Sequence, residues 1–349
     1  MTDSRVYAEE VKLGLLAEEL GFDALWPAEH HFRDYSFCPD NVQFLTYMAG
    51  RTQRIKLATG AVIIPWNNPL RVAERIAMLD ELSGGRVIYG MGRGLSRKEY
   101  GFFGIDMAES RDRFDEAAPM ILEALETGFI EGDGRYYPQP RAAIRPRPTR
   151  TFKDRITCVG MSPDSAEAAA RLGARLVQFS QKNWKEVKGS IDAYNTLFRQ
   201  THGREPDLPM LSDFTFIDSD AGRAEENARK YLTSYFLSVM DNYEMGSEHF
   251  KDTKGYSSYA KGAEAIRHMG LERVAEAYIE VNAWGTPQQV LDKLEQRRAI
   301  VGDFHMTSCF RYGGISYDEA ANGMRLFATQ VMPELRQWKR SAPAAAAAE

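Results

Sequence analysis

The stretch IKLATGAVIIPWNNPLRVAERIAMLDELSGGRVIYGM, residues 55–91, reads as strand, helix, strand. Ile55 to Ile64 is rich in β-branched and aliphatic residues, the composition of a strand. Asn68-Pro69 then supplies a capping side chain and a first-turn proline. Val72, Ile76 and Leu79 recur at helical spacing and form the inward stripe of that helix. Gly85 closes it, and Arg86 to Met91 is the next strand.

The same alternation extends in both directions. Leu13, Leu16 and Leu20 share one helical face, Gly21 marks its stop, and Phe22 to Trp26 reads as a strand. A helix from about Arg111 to Thr127 leads into residues 136–149, where Pro138, Pro140, Pro146 and Pro148 mark an irregular excursion. Ile156 to Gly160 is a strand, and Ser162-Pro163-Asp164-Ser165 caps the following helix. Leu176 to Phe179, Met210 to Ile217 and Phe304 to Phe310 are further strands, each followed by a helix. This rhythm predicts an α/β fold with a parallel sheet wrapped by helices, at this length a (β/α)8 TIM barrel.

Seven strands are countable where a closed barrel needs eight, and the chain opens almost directly in a helix. Either the barrel is completed irregularly or its first strand lies upstream of Met1; the second is the expectation. Residues 241–280 break the rhythm with a polar stretch containing Gly and Lys, expected to be a lid or a disordered loop. Residues 1–340 are expected to form one domain, with the alanine-rich 341–349 as a disordered tail.

The 349 residues carry 49 acidic and 44 basic side chains, a formal charge of -5. With no long basic run, attraction to nucleic acid or anionic lipid has little to work with. The N-terminus lacks the basic start and apolar core of a signal peptide, and no apolar run approaches the roughly 20 residues of a membrane helix. Cys38, Cys158 and Cys309 are odd in number and widely spaced, with no CxxC pair, which argues against a disulfide framework or a zinc finger. The expectation is a cytoplasmic protein with reduced thiols that binds neither nucleic acid nor membrane.

Barrel enzymes place their chemistry on the loops leaving the C-terminal strand ends. Here those positions carry Glu29-His30-His31-Phe32, Gly60-Ala61, Gly90-Met91-Gly92-Arg93-Gly94 and Met161-Ser162. Adjacent histidines on an extended segment point to opposite sides, so His30 and His31 do not readily share a metal. No HExxH is present, and no metal is expected. Gly90, Gly92 and Gly94 are not a dinucleotide fingerprint, because Leu95 occupies the place of the third glycine. Glycines there let a flat ligand approach the backbone.

Arg93 offers a planar fork of donors, and the Ser162–Ser165 helix start offers N–H groups and a dipole of about half a charge. Together they suggest a phosphorylated ligand across the barrel mouth. Each also has a plainer reading: a structural ion pair for Arg93, a helix cap for Ser162, a satisfied polar residue for His30.

Several runs resemble the bacterial luciferase-like monooxygenases, most closely their alpha chains. They are Glu29-His30-His31-Phe32, Ala61-Val62-Ile63-Ile64-Pro65, Asn68-Pro69-Leu70-Arg71-Val72-Ala73-Glu74 and Gly90-Met91-Gly92-Arg93-Gly94-Leu95. Phe103-Gly104-Ile105-Asp106-Met107, Ser110-Arg111, Asn282 with Gly285-Thr286-Pro287, and Val331-Met332-Pro333 follow in the same order. The resemblance implies a barrel that uses reduced FMN, supplied by a separate NAD(P)H:flavin reductase. The reduced flavin reacts with oxygen to a flavin 4a-hydroperoxide, which oxidises a small organic substrate.

By the same resemblance, Arg93, Arg111, Ser162 and Ser165 hold the flavin phosphate, with Leu95 and Val159 lining the site and Met161 in the phosphate turn. Gly60-Ala61 matches a pair whose cis peptide lies beneath the flavin ring. His30 matches the acid/base, flanked by Glu29 and His31; an imidazole with an ordinary pKa near 6.5 moves protons at neutral pH. Residues 241–280 match a mobile lid that protects the reacting flavin from water. The family suggests a homodimer.

Two departures stand out. Gly92 occupies the place of a reactive cysteine, and Met161 that of an acidic residue in the phosphate turn, so light emission from a long-chain aldehyde is not expected. Two other readings remain: a deazaflavin-dependent dehydrogenase of the same superfamily, and a non-catalytic partner subunit like the luciferase beta chain. The retained Glu29-His30-His31 and the long lid count against the second.

Overall fold

A computed structural model describes residues 1–36 and 38–338. Seven parallel strands make the principal sheet: β1 (Ala24–Leu25), β2 (Lys56–Ala58), β3 (Val87–Gly92), β4 (Ile156–Val159), β5 (Arg175–Phe179), β6 (Met210–Phe214) and β7 (His305–Cys309). They neighbour one another in chain order, and a short run at Val62–Ile63 adds to β3. Leu57 of β2 lies opposite Leu25 on one side and Val87 on the other, and Phe214 of β6 lies opposite Cys309 of β7. Among the described residues β1 and β7 do not pair, so the curled sheet is the wall of a TIM-type barrel with one seam open.

Each strand leads into a helix whose start is capped as its residues dictate. Asn68 accepts a hydrogen bond from the Arg71 N–H, with Pro69 as the first helical residue of Pro69–Leu82. Val72, Ile76 and Leu79 of that helix are all buried against the strands. Ser162 caps Pro163–Arg171, and Asp40 caps Asn41–Ala49. Asp213 on β6 and Arg297 on the helix Pro287–Val301 form a fully buried ion pair at 2.5 Å. The Asp213 carboxylate also accepts from the Ala283 N–H, which ties the last turn of the barrel to its wall.

Several elements differ in extent from the expectations, each for a physical reason. The strand expected from Ile55 to Ile64 is interrupted at residues 59–61, where the Gly60–Ala61 peptide is cis and the chain turns inward. The run Met210 to Ile217 divides at Thr215. Phe216–Ile217 leaves the main sheet and pairs with Trp284–Gly285, a strand with no clear pattern in the sequence. The proline-rich excursion is partly regular: Gln139–Ala143 pairs antiparallel with Phe129–Gly132. A two-stranded ribbon has only edge strands, and an edge strand tolerates the missing N–H of Pro140.

Residues 241–280 are not an irregular loop. They fold into helices His249–Asp252, Ser257–Met269 and the greater part of Leu271–Val281, placed across the C-terminal mouth of the sheet. The proposed tail, 341–349, lies outside the described residues, as do the last two residues of the expected domain. No helix among the described residues is long and apolar enough to cross a membrane.

Candidate active site

A cavity of about 1370 Å³ occupies the interior of the sheet and its mouth. Glu29, His30, Gly60, Ala61, Arg93, Leu95, Val159, Met161 and Ser165 all contribute to its wall. His31, Arg111 and Ser162 stand immediately behind that wall, each hydrogen-bonded to a residue in or beside it.

One side of the mouth is a closed network of carboxylates and imidazoles. The segment after β1 carries Glu29, whose buried carboxylate accepts from the Trp66 indole N–H at 2.7 Å and the Ile63 backbone N–H at 3.2 Å. It also lies 3.2 Å from His31 Nε2. A carboxylate can only accept, so this contact is a hydrogen bond in the form of His31 that carries a proton on Nε2. The two histidines diverge as their adjacency requires: His31 packs edge-on to Phe103 and Trp66, whereas His30 packs edge-on to Tyr35.

The second carboxylate of this network is Glu99, buried on the short helix Arg97–Phe102. Its Oε1 accepts from the His31 backbone N–H at 2.8 Å and lies 3.2 Å from His30 Nδ1. The sequence reading did not single out Glu99. Ser96-Arg97-Lys98-Glu99 has the form of a capping box, and Ser96 does cap that helix. The Glu99 side chain, however, turns away from the cap to reach two histidines roughly seventy residues earlier. Tyr243 was missed for the same reason; its hydroxyl meets His30 Nε2 at 3.2 Å across 213 residues. Burial, then the neighbouring Tyr35 phenol and the Glu99 carboxylate, hold the Tyr243 phenol well above its ordinary range.

The floor between the two sides is the cis Gly60–Ala61 peptide. A Cβ at Gly60 would lie 1.8 Å from Trp26 Cδ1, so no larger residue fits without displacing the indole. The Asn41 side-chain amide donates to the Ala61 carbonyl at 3.0 Å, and the Gly60 N–H donates to the Pro27 carbonyl at 3.0 Å. Asn41, at the start of its helix, is therefore a further residue that holds the site together without having stood out in the sequence.

The opposite side gathers donors with few acceptors. Arg93 follows β3, Arg111 begins the helix Ser110–Thr127, and Ser162 and Ser165 form the first turn after β4. Arg111 donates to Ser165 Oγ at 2.9 Å and to Asp115 at 3.1 Å. Among the described residues the Arg93 side chain donates only to the Gly255 carbonyl, at 2.8 Å, while its guanidinium stacks on the Tyr256 ring at 3.9 Å. Gly255 (φ +80°) sits between the two arginines, where a Cβ would come within 2.5 Å of Arg93 Nη1 and 3.7 Å of Arg111 Cβ. Among the described residues, Arg93 Nη1 and Arg111 Nε are both buried without a hydrogen-bond partner. Buried, unpaired charged donors are costly, and these two converge beside a helix N-terminus, which suits a phosphate monoester.

Leu95 packs against the cluster of Tyr100, Met107, Phe250 and Tyr256, and Val159 ends β4 on the cavity wall. Met161 fills the turn before Ser162; its sulfur accepts from the Phe179 N–H at 3.1 Å. Among the described residues no group of three or more His, Cys, Asp or Glu side chains has a metal-binding arrangement. The three cysteines are free, and burial, the largest influence on each, pushes their thiols up to about 12, far from the reactive thiolate range.

These features coincide with matches along almost the whole chain. The alkanal monooxygenase alpha chain of Photorhabdus luminescens is 28% identical over 348 residues, covering 97% of this chain and 95% of the relative. Among solved structures, the monooxygenase RslO1 from Streptomyces bottropensis superposes with a TM-score of 0.75 at 28% identity, covering 96% and 95% of the two chains. Two more distant structures share the fold. The oxygenating constituent of 3,6-diketocamphane monooxygenase from Pseudomonas putida, in complex with FMN, has a TM-score of 0.75 at 17% identity, with 98% and 96% covered. The coenzyme F420-dependent tetrahydromethanopterin reductase of Methanopyrus kandleri has a TM-score of 0.68 at 22% identity, with 94% and 95% covered. Residues 1–303 match the family model of the luciferase-like monooxygenases, and the chain belongs to that family.

Proposed function

We propose that this chain is the oxygenating component of a two-component, FMN-dependent monooxygenase acting on a small organic substrate. One observation supports the flavin assignment above the rest: the unpaired, buried Arg93 Nη1 and Arg111 Nε beside the Ser162–Ser165 helix start. In this reading Arg93, Arg111, Ser162 and Ser165 hold the terminal phosphate of FMN. Leu95, Val159 and Met161 flank the chain between phosphate and ring, and Gly60–Ala61 lies beneath the ring. Bound reduced flavin would supply the two electrons that activate oxygen, and a separate NAD(P)H:flavin reductase would deliver it.

The chain's own residues then divide the remaining work. His30 holds and moves a proton beside the ring, oriented by Glu99 at Nδ1. Glu29 and His31 brace that group; Glu29 fixes the backbone at Ile63 and the indole of Trp66. The helices of residues 241–280 close over the phosphate side through Gly255 and Tyr256 and exclude water. We read residues 1–340 as one catalytic domain, assembled as a cytoplasmic homodimer.

Anaerobic titration with reduced FMN, and in parallel with reduced F420, tests the reading. Tight binding of reduced FMN, followed by consumption of oxygen on mixing, is the expected outcome. Preference for F420 with no oxygen consumption would convert the assignment to a deazaflavin-dependent dehydrogenase. Binding of neither would leave the non-catalytic partner subunit.

A further inference from the structure

Both nitrogens of His30 are engaged before any ligand enters. Nδ1 faces Glu99, and Glu99 also accepts the His31 N–H, so its carboxylate serves as acceptor to two donors. Neutral imidazole has one donor and one acceptor nitrogen. In the neutral form that donates from Nδ1 to Glu99, Nε2 is the acceptor open to the Tyr243 hydroxyl 3.2 Å away, a hydroxyl that also faces the Tyr35 phenol. Of the two partners of His30, only the phenol carries a proton that can be passed on. Tyr243, at the end of the helix Ala221–Asn242, lies on the cavity wall.

We propose that Tyr243 is the catalytic group through which His30 exchanges protons with the occupant of the cavity, and that Glu99 is the residue positioning His30 for it. When a proton leaves the site, imidazolium Nε2–H passes its proton to Tyr243 Oη while the phenol O–H passes its own to an oxygen of the occupant. The phenol ends unchanged and His30 ends neutral. In the reverse direction the occupant's proton arrives at Oη as the phenol proton moves to Nε2, and Glu99 stabilises the resulting imidazolium through Nδ1–H. Burial disfavours the Tyr243 phenolate, which favours moving the two protons together. Tyr35, edge-on to both His30 and Tyr243, and hydrogen-bonded to Tyr235 at 2.6 Å, fixes the plane of the relay.

A plainer role is open to Tyr243, as one ring in a cluster of aromatics, and the Tyr243→Phe variant separates the two because it keeps the ring and removes the hydroxyl. The first readout needs no cofactor. Nitrogen-15 spectra of histidine-labelled protein should show His30 as the Nδ1–H tautomer, with its Nε2 resonance moving in Tyr243→Phe and a mixture of tautomers in Glu99→Gln. The second rests on the FMN reading. Oxidation of bound reduced FMN by oxygen, with the anionic flavin taking up one proton as oxidised FMN and hydrogen peroxide form, is followed in H2O and D2O.

Tyr243→Phe should bind reduced FMN as the parent does, yet reoxidise it at least about tenfold more slowly, with an altered solvent isotope effect. An unmoved Nε2 resonance, or an unchanged rate and isotope effect at full flavin occupancy, overturns the proposal. If the parent protein binds no reduced FMN, the functional reading falls. The nitrogen-15 comparison then decides the relay alone, and an unmoved Nε2 resonance overturns it.

Discussion

The two sides of the cavity mouth are built on opposite principles. On the imidazole side every strong acceptor is already occupied: Glu29 holds Ile63, Trp66 and His31, and Glu99 holds both histidine residues. That side is organised before a ligand arrives. The arginine side leaves Arg93 Nη1 and Arg111 Nε buried and, among the described residues, unpaired; under the flavin reading an incoming anion would complete it. A site that must place a proton within hydrogen-bond reach benefits from rigidity, whereas a site that must capture a cofactor benefits from unsatisfied donors.

This contrast makes the consequences of substitution separable. The largest effect belongs to the rigid side: His30→Ala should reduce turnover roughly 10²–10⁴-fold with flavin affinity nearly unchanged. Steady-state rates paired with anaerobic flavin titration check it; a loss of affinity equal to the loss of rate would mean that the sides are not independent. On the open side, Arg93→Ala should weaken reduced FMN by about 1.5–3 kcal/mol, the scale of a charged hydrogen bond. Equal affinity in variant and parent removes Arg93 from the phosphate site.

A smaller, purely structural effect sharpens the comparison. Glu29→Gln places an amide N–H₂ among donors and should lower unfolding free energy by about 1–3 kcal/mol, measured by denaturant titration. If instead stability holds and turnover collapses, Glu29 belongs with the proton-handling groups and not with their support. The smallest effect concerns the proposed lid, residues 241–280. Limited proteolysis should nick residues 241–280 first, and more slowly when flavin occupies the arginines that hold Gly255. First cleavage elsewhere counts against a lid.

Much of the frame was legible because it depends on neighbours in the chain. The seven parallel strands lie where β-rich runs predicted them, and Asn68, Pro69 and Ser162 act as cap and first-turn residues because a cap needs only the next three residues. The candidate ligand residues were legible through resemblance and through their place at strand ends. Glu99, Tyr243, Tyr35 and Asn41 were not. Glu99 carries a local signal that points to a different role, and the partners of Tyr243 and Asn41 are remote in sequence or are backbone carbonyls. The division of the strand at Thr215 was equally hidden, since its new partner, Trp284–Gly285, is two residues long and leaves no periodicity to detect.

The amino-acid sequence by itself determined the parallel α/β architecture, the order of its strands and the set of residues delivered to one mouth. These follow from hydrophobic period, capping chemistry and turn residues, all local properties of the chain. Only the tertiary structure decided which carboxylate faces each of His30 and His31, which arginine donors stay unpaired among the described residues, and that Tyr243 closes the network around His30. Hydrogen bonds and buried charges are settled by distances of about 3 Å between groups far apart in the chain, and no local pattern encodes those distances.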